Sequence, residues 1–432
     1  MLTYKNIPVR FRVTLFTLIL LSPVLAQAAN DEEIAAMRAQ MTALSERLDR
    51  LEAENRELTA ANAELAKSQQ ETAVTVATVS DKTDAVAAEA EEKAAKTSWT
   101  DTIRWKGDFR YRYETIDVED KPNRDRNRIR ARAALVANVT PTMEVGLGLA
   151  SGGDDPVSTN QTLGGGGSTK DIKMDLAYFD WSGLKDTHVY GGKFSNYIHR
   201  TGKNALLWDS DWRPEGTGIG WNNGKFFANA LGTWIESDSA SGQSFAYLTQ
   251  AGFKLPIGDS LTMTAGVGYH NFDTKGSGSF FGDDDDFFGN SYDRVTNTYL
   301  YDYEELELFA ELNFDMFGRP SQLFGNWVQN QAVDENDTAY AFGFTYGSAK
   351  NKGEWEFGYV YQKLEADSVL GLLTDSDYGG GGTDSKGSIF KGSYVLVKNI
   401  TTDFTYFLND VGLKSGNPKD YKRLQLDLNF KY

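Results

Sequence analysis

Residues 421–432 read YKRLQLDLNFKY. Leu424, Leu426, Leu428, Phe430 and Tyr432 alternate with Arg423, Gln425, Asp427, Asn429 and Lys431. A period of two belongs to a strand with two unlike faces. One face is apolar to its last residue and the other is charged or polar. A wall with hydrocarbon outside and water inside asks for that division more than the edge of a soluble sheet does.

The same pattern runs back through the chain. Residues 101–115 set Ile103, Trp105, Phe109, Tyr111 and Tyr113 against Arg104, Lys106, Asp108, Arg110, Arg112 and Glu114. Residues 127–139 repeat it, with Ile129, Ala131, Ala133, Leu135 and Ala137 against Arg128, Arg130 and Arg132. Further strands are expected around 143–149, 172–181, 188–194, 215–221, 226–235, 245–255, 261–271, 300–316, 323–330, 340–346, 354–362, 390–397 and 404–408, which with 421–432 makes about sixteen. Long, polar connections (118–126, 151–171, 196–214, 274–298, 365–386, 410–420) alternate with short ones around Pro141, Asn223-Gly224, Pro256 to Gly258 and Asn399-Ile400. Short turns at one rim and long loops at the other are the rule for transmembrane barrels, in which the short-turn rim is periplasmic. The fold expected is all-β, a transmembrane antiparallel β-barrel. A soluble sandwich would bury its aromatics against a second sheet instead of repeating aromatic-out, charge-in along so many strands.

The composition suits a barrel wall: 25 Phe, 21 Tyr and 9 Trp beside 42 Gly, with no Cys and a formal charge of −17. No cysteine means no disulfide and no lipidated thiol, and the acidic balance disfavours nucleic acid. Residues 1–28 have a basic start (Lys5, Arg10, Arg12), an apolar run over 13–21 and Ala26-Gln27-Ala28, as a secretory signal does. The apolar run is well short of the roughly 20 residues that a bilayer demands. Cleavage would remove three positive charges and leave −20.

Beyond it, residues 29–98 carry heptads. Ile34, Met41 and Leu48 occupy one seam position, continued by Asn55, Asn62 and Gln69, and Met37, Leu44, Leu51, Leu58 and Leu65 occupy the other. Sustained seven-residue spacing predicts a coiled coil, a rod of about 90 Å if helical throughout. The alternative is an amphipathic helix on its own barrel. Residues 94–99 read as a hinge, and 99–432 as the barrel domain.

Inside the predicted ring the charges are segregated. Arg104, Arg110, Arg112, Arg128, Arg130 and Arg132 fall on the first two strands, while Glu305, Glu307 and Glu311 fall on the tenth and Glu354 and Glu356 on the thirteenth. These acids are expected to lie too far around the wall to meet the arginines, which predicts a wet lumen crossed by a field. The outward Ala131, Ala133 and Ala137 predict contact with another protein surface. Asp283 to Asp286 lack the ligand spacing of a cation loop and read as a solvated loop tip. His188, His199 and His270 fall on separate elements, so no metal, cofactor or enzymatic centre is expected.

The leader, the heptads, the aromatic barrel, Gly192-Lys193-Phe194 at a strand end, and the run Trp208-Asp209-Ser210-Asp211-Trp212-Arg213-Pro214-Glu215-Gly216 together resemble the putative porin family of Gram-negative bacteria. The likeness covers essentially the whole mature chain, and the aromatic terminal strand resembles the closing strand of outer-membrane barrels. It implies an outer-membrane channel for passive diffusion of small hydrophilic solutes or ions, a homotrimer in lipid with its coiled coil in the periplasm. Related sixteen-stranded porins fold a third loop into the lumen, which makes Asp209, Asp211, Arg213 and Glu215 the expected constriction. The alternative function is a tether, with the barrel as anchor and the rod reaching the cell wall.

Overall fold

The computed structural model describes residues 31–96, 102–237 and 242–432, and the expected leader at 1–28 lies outside them. Two separate compact units are present. The first is a helix, α1, Asp31–Lys96. Its 66 residues contain neither Gly nor Pro and are rich in Ala and Glu, which suits an uninterrupted helix about 100 Å long. Every described side chain on it is exposed, including Met41, Leu44, Leu51, Leu58 and Leu65 of the apolar seam.

The second unit is a closed ring of sixteen antiparallel strands. In chain order they are β1 (Ile103–Val118), β2 (Arg124–Thr140), β3 (Met143–Ser151), β4 (Ile172–Leu184), β5 (Thr187–Lys193), β6 (Glu215–Asn222), β7 (Phe226–Glu236) and β8 (Ser244–Ile257). The second half is β9 (Leu261–Phe272), β10 (Tyr303–Met316), β11 (Arg319–Asn330), β12 (Thr338–Gly347), β13 (Trp355–Leu364), β14 (Ser385–Val397), β15 (Ile400–Val411) and β16 (Lys419–Lys431). Each strand pairs with the next, and β16 pairs with β1. The short rim has tight turns such as Phe317-Gly318, both at positive φ (52° and 74°), a mirror-image turn whose twist matches the flanking strands.

The period-two pattern sets the faces. On β16 Arg423 and Gln425 are 3% and 2% exposed, whereas Leu426 is 45% exposed. On β1 the buried Arg112 lies between the exposed Tyr111 and Tyr113. A slip of one residue would put every guanidinium into hydrocarbon, so the register is strongly specified.

The seam between β1 and β16 has its own joint. Gly107 and Tyr432 exchange backbone hydrogen bonds of 2.9 and 3.1 Å. The Tyr432 ring covers Gly107 so closely that a Cβ there would meet ring carbon Cε2 at 2.3 Å, and its hydroxyl donates to the Arg132 carbonyl at 3.1 Å. Only glycine admits that ring. Below the joint, Asp427 stands directly opposite Arg112.

The apolar core of this unit lies inside the barrel. Leu206, Leu207, Trp208 and Trp212, from the connection 194–214, pack with Val369, Leu370, Leu372, Leu373 and Tyr378, from the connection 365–384, and with Phe287 and Tyr299 from the connection 273–302. Inward wall residues such as Leu248, Val328, Val360 and Phe407 complete the cluster. The expectation that 365–386 is a polar outer loop is therefore corrected: an apolar segment has a water-free place to go, and it goes inward.

Candidate functional site

Three glutamates of β10 hold the inserted segments. Gly202 donates its N–H to Glu311 Oε1 at 2.6 Å, and Leu370 donates to Glu305 Oε1 at 2.9 Å. Between them Glu307 accepts from Gln250 (3.1 Å) and Asn326 (3.1 Å), and Gln250 in turn brackets the His199 backbone. The segments also bind each other, through Asp209 N–H to the Leu373 carbonyl at 2.7 Å. Segment 365–384 is fixed further by Asn290, whose amide donates to the carbonyls of Ala366 and Val369 and accepts from Gly371. Trp208 meets His270 edge-on at 5.0 Å. Glu305, Glu307 and Glu311 are thus buried docking posts, and Glu311 also borders the cavity at the short-turn rim. Glu354 sits in the turn before β13, where it accepts from the Lys350 and Asn351 N–H groups, and Glu356 is exposed near that rim.

Across the ring, the arginines have partners that the sequence reading did not give them. Arg112 makes a paired contact with Asp427 (2.7 Å from both Nε and Nη2) and reaches Asp377 of the inserted segment at 2.8 Å. Arg423 bonds Glu114 and Asp377, with Nη2 2.7 Å from Asp377. Asp108 joins Arg130 and Arg132 at 2.9 and 2.8 Å, and Arg132 also reaches Asp211 at 3.0 Å. Arg126 and Arg128 flank Glu114, and Arg104 pairs with Glu144 near the short-turn rim. The expected separation of the two signs is corrected accordingly. The acids come from β1, β16 and β3 and from the inserted segments, so they need not cross the lumen.

Three cavities are open among the described residues of the ring. One of about 1150 Å³ lies at the short-turn rim, beside Asp186, His188, Lys225, Asn229 and His199. One of about 710 Å³ lies at the long-loop rim, beside Asp155, Lys193, Arg213, Glu215 and Phe280. Between their levels is a cavity of only about 210 Å³, walled by Arg110, Arg112 and Arg130 on one side and by Arg200, Lys203, Asp209, Asp211, Asp375 and Asp377 of the inserted segments. Asp211 borders this narrow cavity and the outer one, and His199 of the inner cavity precedes Arg200 of the narrow one. Of the four expected constriction residues, Asp209 and Asp211 stand in the narrow cavity. Arg213, bonded to Asp175 at 3.3 Å, and Glu215, bonded to Lys193 at 2.5 Å, stand in the outer one.

The loop carboxyls there are unlike one another. Burial pushes Asp209 well above the usual carboxylate range, helped by the charges of Asp375 and Asp211. Burial raises Asp375 too, with Asp377 beside it. Asp211 goes the other way, because Arg130 and Arg132 outweigh its burial, and Asp377 is lowered by Arg423 and Arg112 against the same penalty. Burial thus raises Asp209 and Asp375, while arginine partners lower Asp211 and Asp377.

Asp375, Asp377, Arg200, Lys203 and Lys391 were missed from the sequence. The available signal was the two apolar pairs, Val369-Leu370 and Leu372-Leu373, in a stretch otherwise reading as an exposed loop.

Comparison with solved structures agrees with the architecture. Pseudomonas putida OprB at high pH superposes with a TM-score of 0.54 at 12% identity, covering 77% of this chain and 94% of that one. Vibrio cholerae OmpT lacking loop L8 gives 0.46 at 14% identity, covering 77% of this chain and 100% of that one. A Rhodopseudomonas blastica porin triple mutant gives 0.44 at 8% identity, covering 76% and 100%. No curated protein matches the chain. The sequence model described as "Putative porin" matches residues 117–279 and 291–432, which spans most of the barrel from the end of β1 through β16. The chain belongs to the putative porin family.

Proposed function

We propose that the protein is an outer-membrane porin through which small hydrophilic solutes or ions diffuse passively, by way of the narrow cavity between the inserted segments and the β1–β2 wall. The observation that supports this reading is the sequence of spaces: roomy cavities at both rims and a small, charged one between, inside a wall whose outer face is apolar. Long loops then face outward and short turns the periplasm.

Planar-bilayer recording tests it. Discrete current steps are expected, with a reversal potential in a salt gradient set by the narrow cavity. Arg130→Gln should shift preference toward cations. Asp211→Asn should shift it toward anions by releasing Arg130 and Arg132. Asp209→Asn should shift it less than Asp211→Asn does, since burial holds that carboxyl well above the usual carboxylate range. Each shift should shrink as salt shortens the screening length below about 8 Å. A silent bilayer would sink the porin reading. Silence would instead favour a tether with the barrel as anchor, a reading that the filled lumen supports.

The exposed seam of α1 calls for a cover, and other copies of the chain supply one in a homotrimer, with the small outward Ala131, Ala133 and Ala137 against a neighbouring barrel. Replacing Leu44, Leu51 and Leu58 by Ser should lower the temperature at which cross-linkable oligomers dissociate, and leave the barrel's strand signal in circular dichroism intact. Unchanged dissociation would show that the seam does not hold the oligomer together.

A further inference from the structure

The charged groups around the narrow cavity are unequal in how far they are already satisfied. Arg112 is held by Asp427 and Asp377, and Arg130 by Asp108 and, at 3.9 Å, Asp211. Asp211 and Asp377 are consumed in those same pairs. Arg200 and Lys203 of the inserted segment 194–214 and Lys391 of β14 also line the cavity, and none of the three makes an ion pair or hydrogen bond through its side chain among the described residues. Arg110 gives Nη2 to Asn160 at 2.5 Å and has Nη1 3.8 Å from Asp427, while its Nε is buried without a partner among the described residues.

Three unpaired cations from two elements, with a fourth partly free, converge on about 210 Å³. That is room for on the order of seven waters, or one small solute in their place. We infer that the narrow cavity is a saturable binding site for a small oxyanion, a solute carrying one carboxylate or phosphate group, held by Arg200, Lys203 and Lys391. This deepens the porin reading and rests on it for the solute's route, though not for its binding.

The two remaining carboxyls at the cavity, Asp209 and Asp375, do not cancel the attraction. Even with every group ionised, the lining sets six Arg and Lys side chains against four Asp side chains, and burial raises both Asp209 and Asp375 from the ordinary carboxylate value. The site is therefore locally positive in a chain of formal charge −17. A charge-assisted hydrogen bond to an oxyanion is roughly twice as strong as one between neutral groups.

Isothermal titration of the detergent-solubilised full chain with acetate, succinate and inorganic phosphate, in low-salt zwitterionic buffer, reads the binding without requiring conduction. At least one of the three should bind with millimolar-range affinity, and the arm that binds best identifies carboxylate or phosphate. Lys203→Gln with Lys391→Gln should weaken it by roughly tenfold or more. Both side chains are exposed and carry no partner, so the double variant should fold as the parent does. Lys170→Gln, in an outer loop, should leave binding unchanged. In bilayers the same anion should reduce chloride current to a plateau. Absence of heat from all three anions, or equal affinity in the double variant, would overturn the site. Binding without any channel current would keep the site and remove the porin reading, and current without binding would do the reverse.

Discussion

Replacing residues 368–382 by a short glycine-serine turn should raise single-channel conductance severalfold. This segment supplies Val369, Leu370, Leu372, Leu373 and Tyr378 to the interior cluster and Asp375 and Asp377 to the narrow cavity. A sixteen-stranded ring is wide enough to leave an aqueous channel when nothing enters it. The wall keeps its own ladder of backbone hydrogen bonds, so insertion into lipid should survive. Glu305, which loses the Leu370 N–H, would be hydrated in the widened lumen and not stranded. Selectivity should weaken together with the rise in conductance, as both arise at the same narrow cavity. An unchanged conductance would mean that the conducting path avoids this segment and that the narrow cavity is misassigned.

The second large effect concerns the seam. Arg112 is 5% exposed, and Arg112→Ala would strip Asp427 of its paired donors, leaving it only Arg110 at 3.8 Å, while Asp377 would keep Arg423. Removing one partner from a buried ion pair costs about 3–5 kcal/mol, most of it from the charge left behind. Arg104→Ala, at a half-exposed pair with Glu144, should cost about 0–1 kcal/mol. Urea unfolding midpoints in one detergent compare the two directly. Adding Asp427→Asn to Arg112→Ala should recover part of the loss, because it removes the stranded charge. Equal midpoints for Arg112→Ala and Arg104→Ala would show that the seam is held by its backbone ladder alone. Lysine at 112 should not restore stability fully, for it cannot present the paired donors that guanidinium gives to Asp427.

The wall was legible because lipid is an unforgiving neighbour. Any strand with hydrocarbon on one face must alternate, so β16 alone announced which of its residues turn inward, and the alternation on β1 and β2 did the same. The filling of the lumen was not legible. Segment 365–384 carries the glycines and aspartates of an exposed loop, and its apolar pairs have no strand period to betray a burial partner. The arginine partners were missed for a different reason. Asp108 and Glu114 lie on the same inward face as Arg110 and Arg112, but pairing across a seam needs register, and register came only with closure of β1 on β16. In the run 208–215, Trp208 and Trp212 lie in the interior cluster and Asp209 and Asp211 line the narrow cavity, whereas Arg213 and Glu215 border the outer one.

The interior cluster changes what kind of object the barrel is. Outside, the wall meets lipid tails as apolar as its own side chains, and little free energy separates wall from solvent there. Inside, Trp208, Leu206, Leu373 and Tyr378 are withdrawn from water, as in any soluble globule. The hydrophobic effect therefore works within this membrane protein as it does in the cytosol. Segments entering from between β5 and β6, and from between β13 and β14, brace opposite arcs of the ring against ovalisation, as spokes brace a rim. A barrel so braced owes part of its shape to water rather than to the bilayer, and it carries that part with it into detergent.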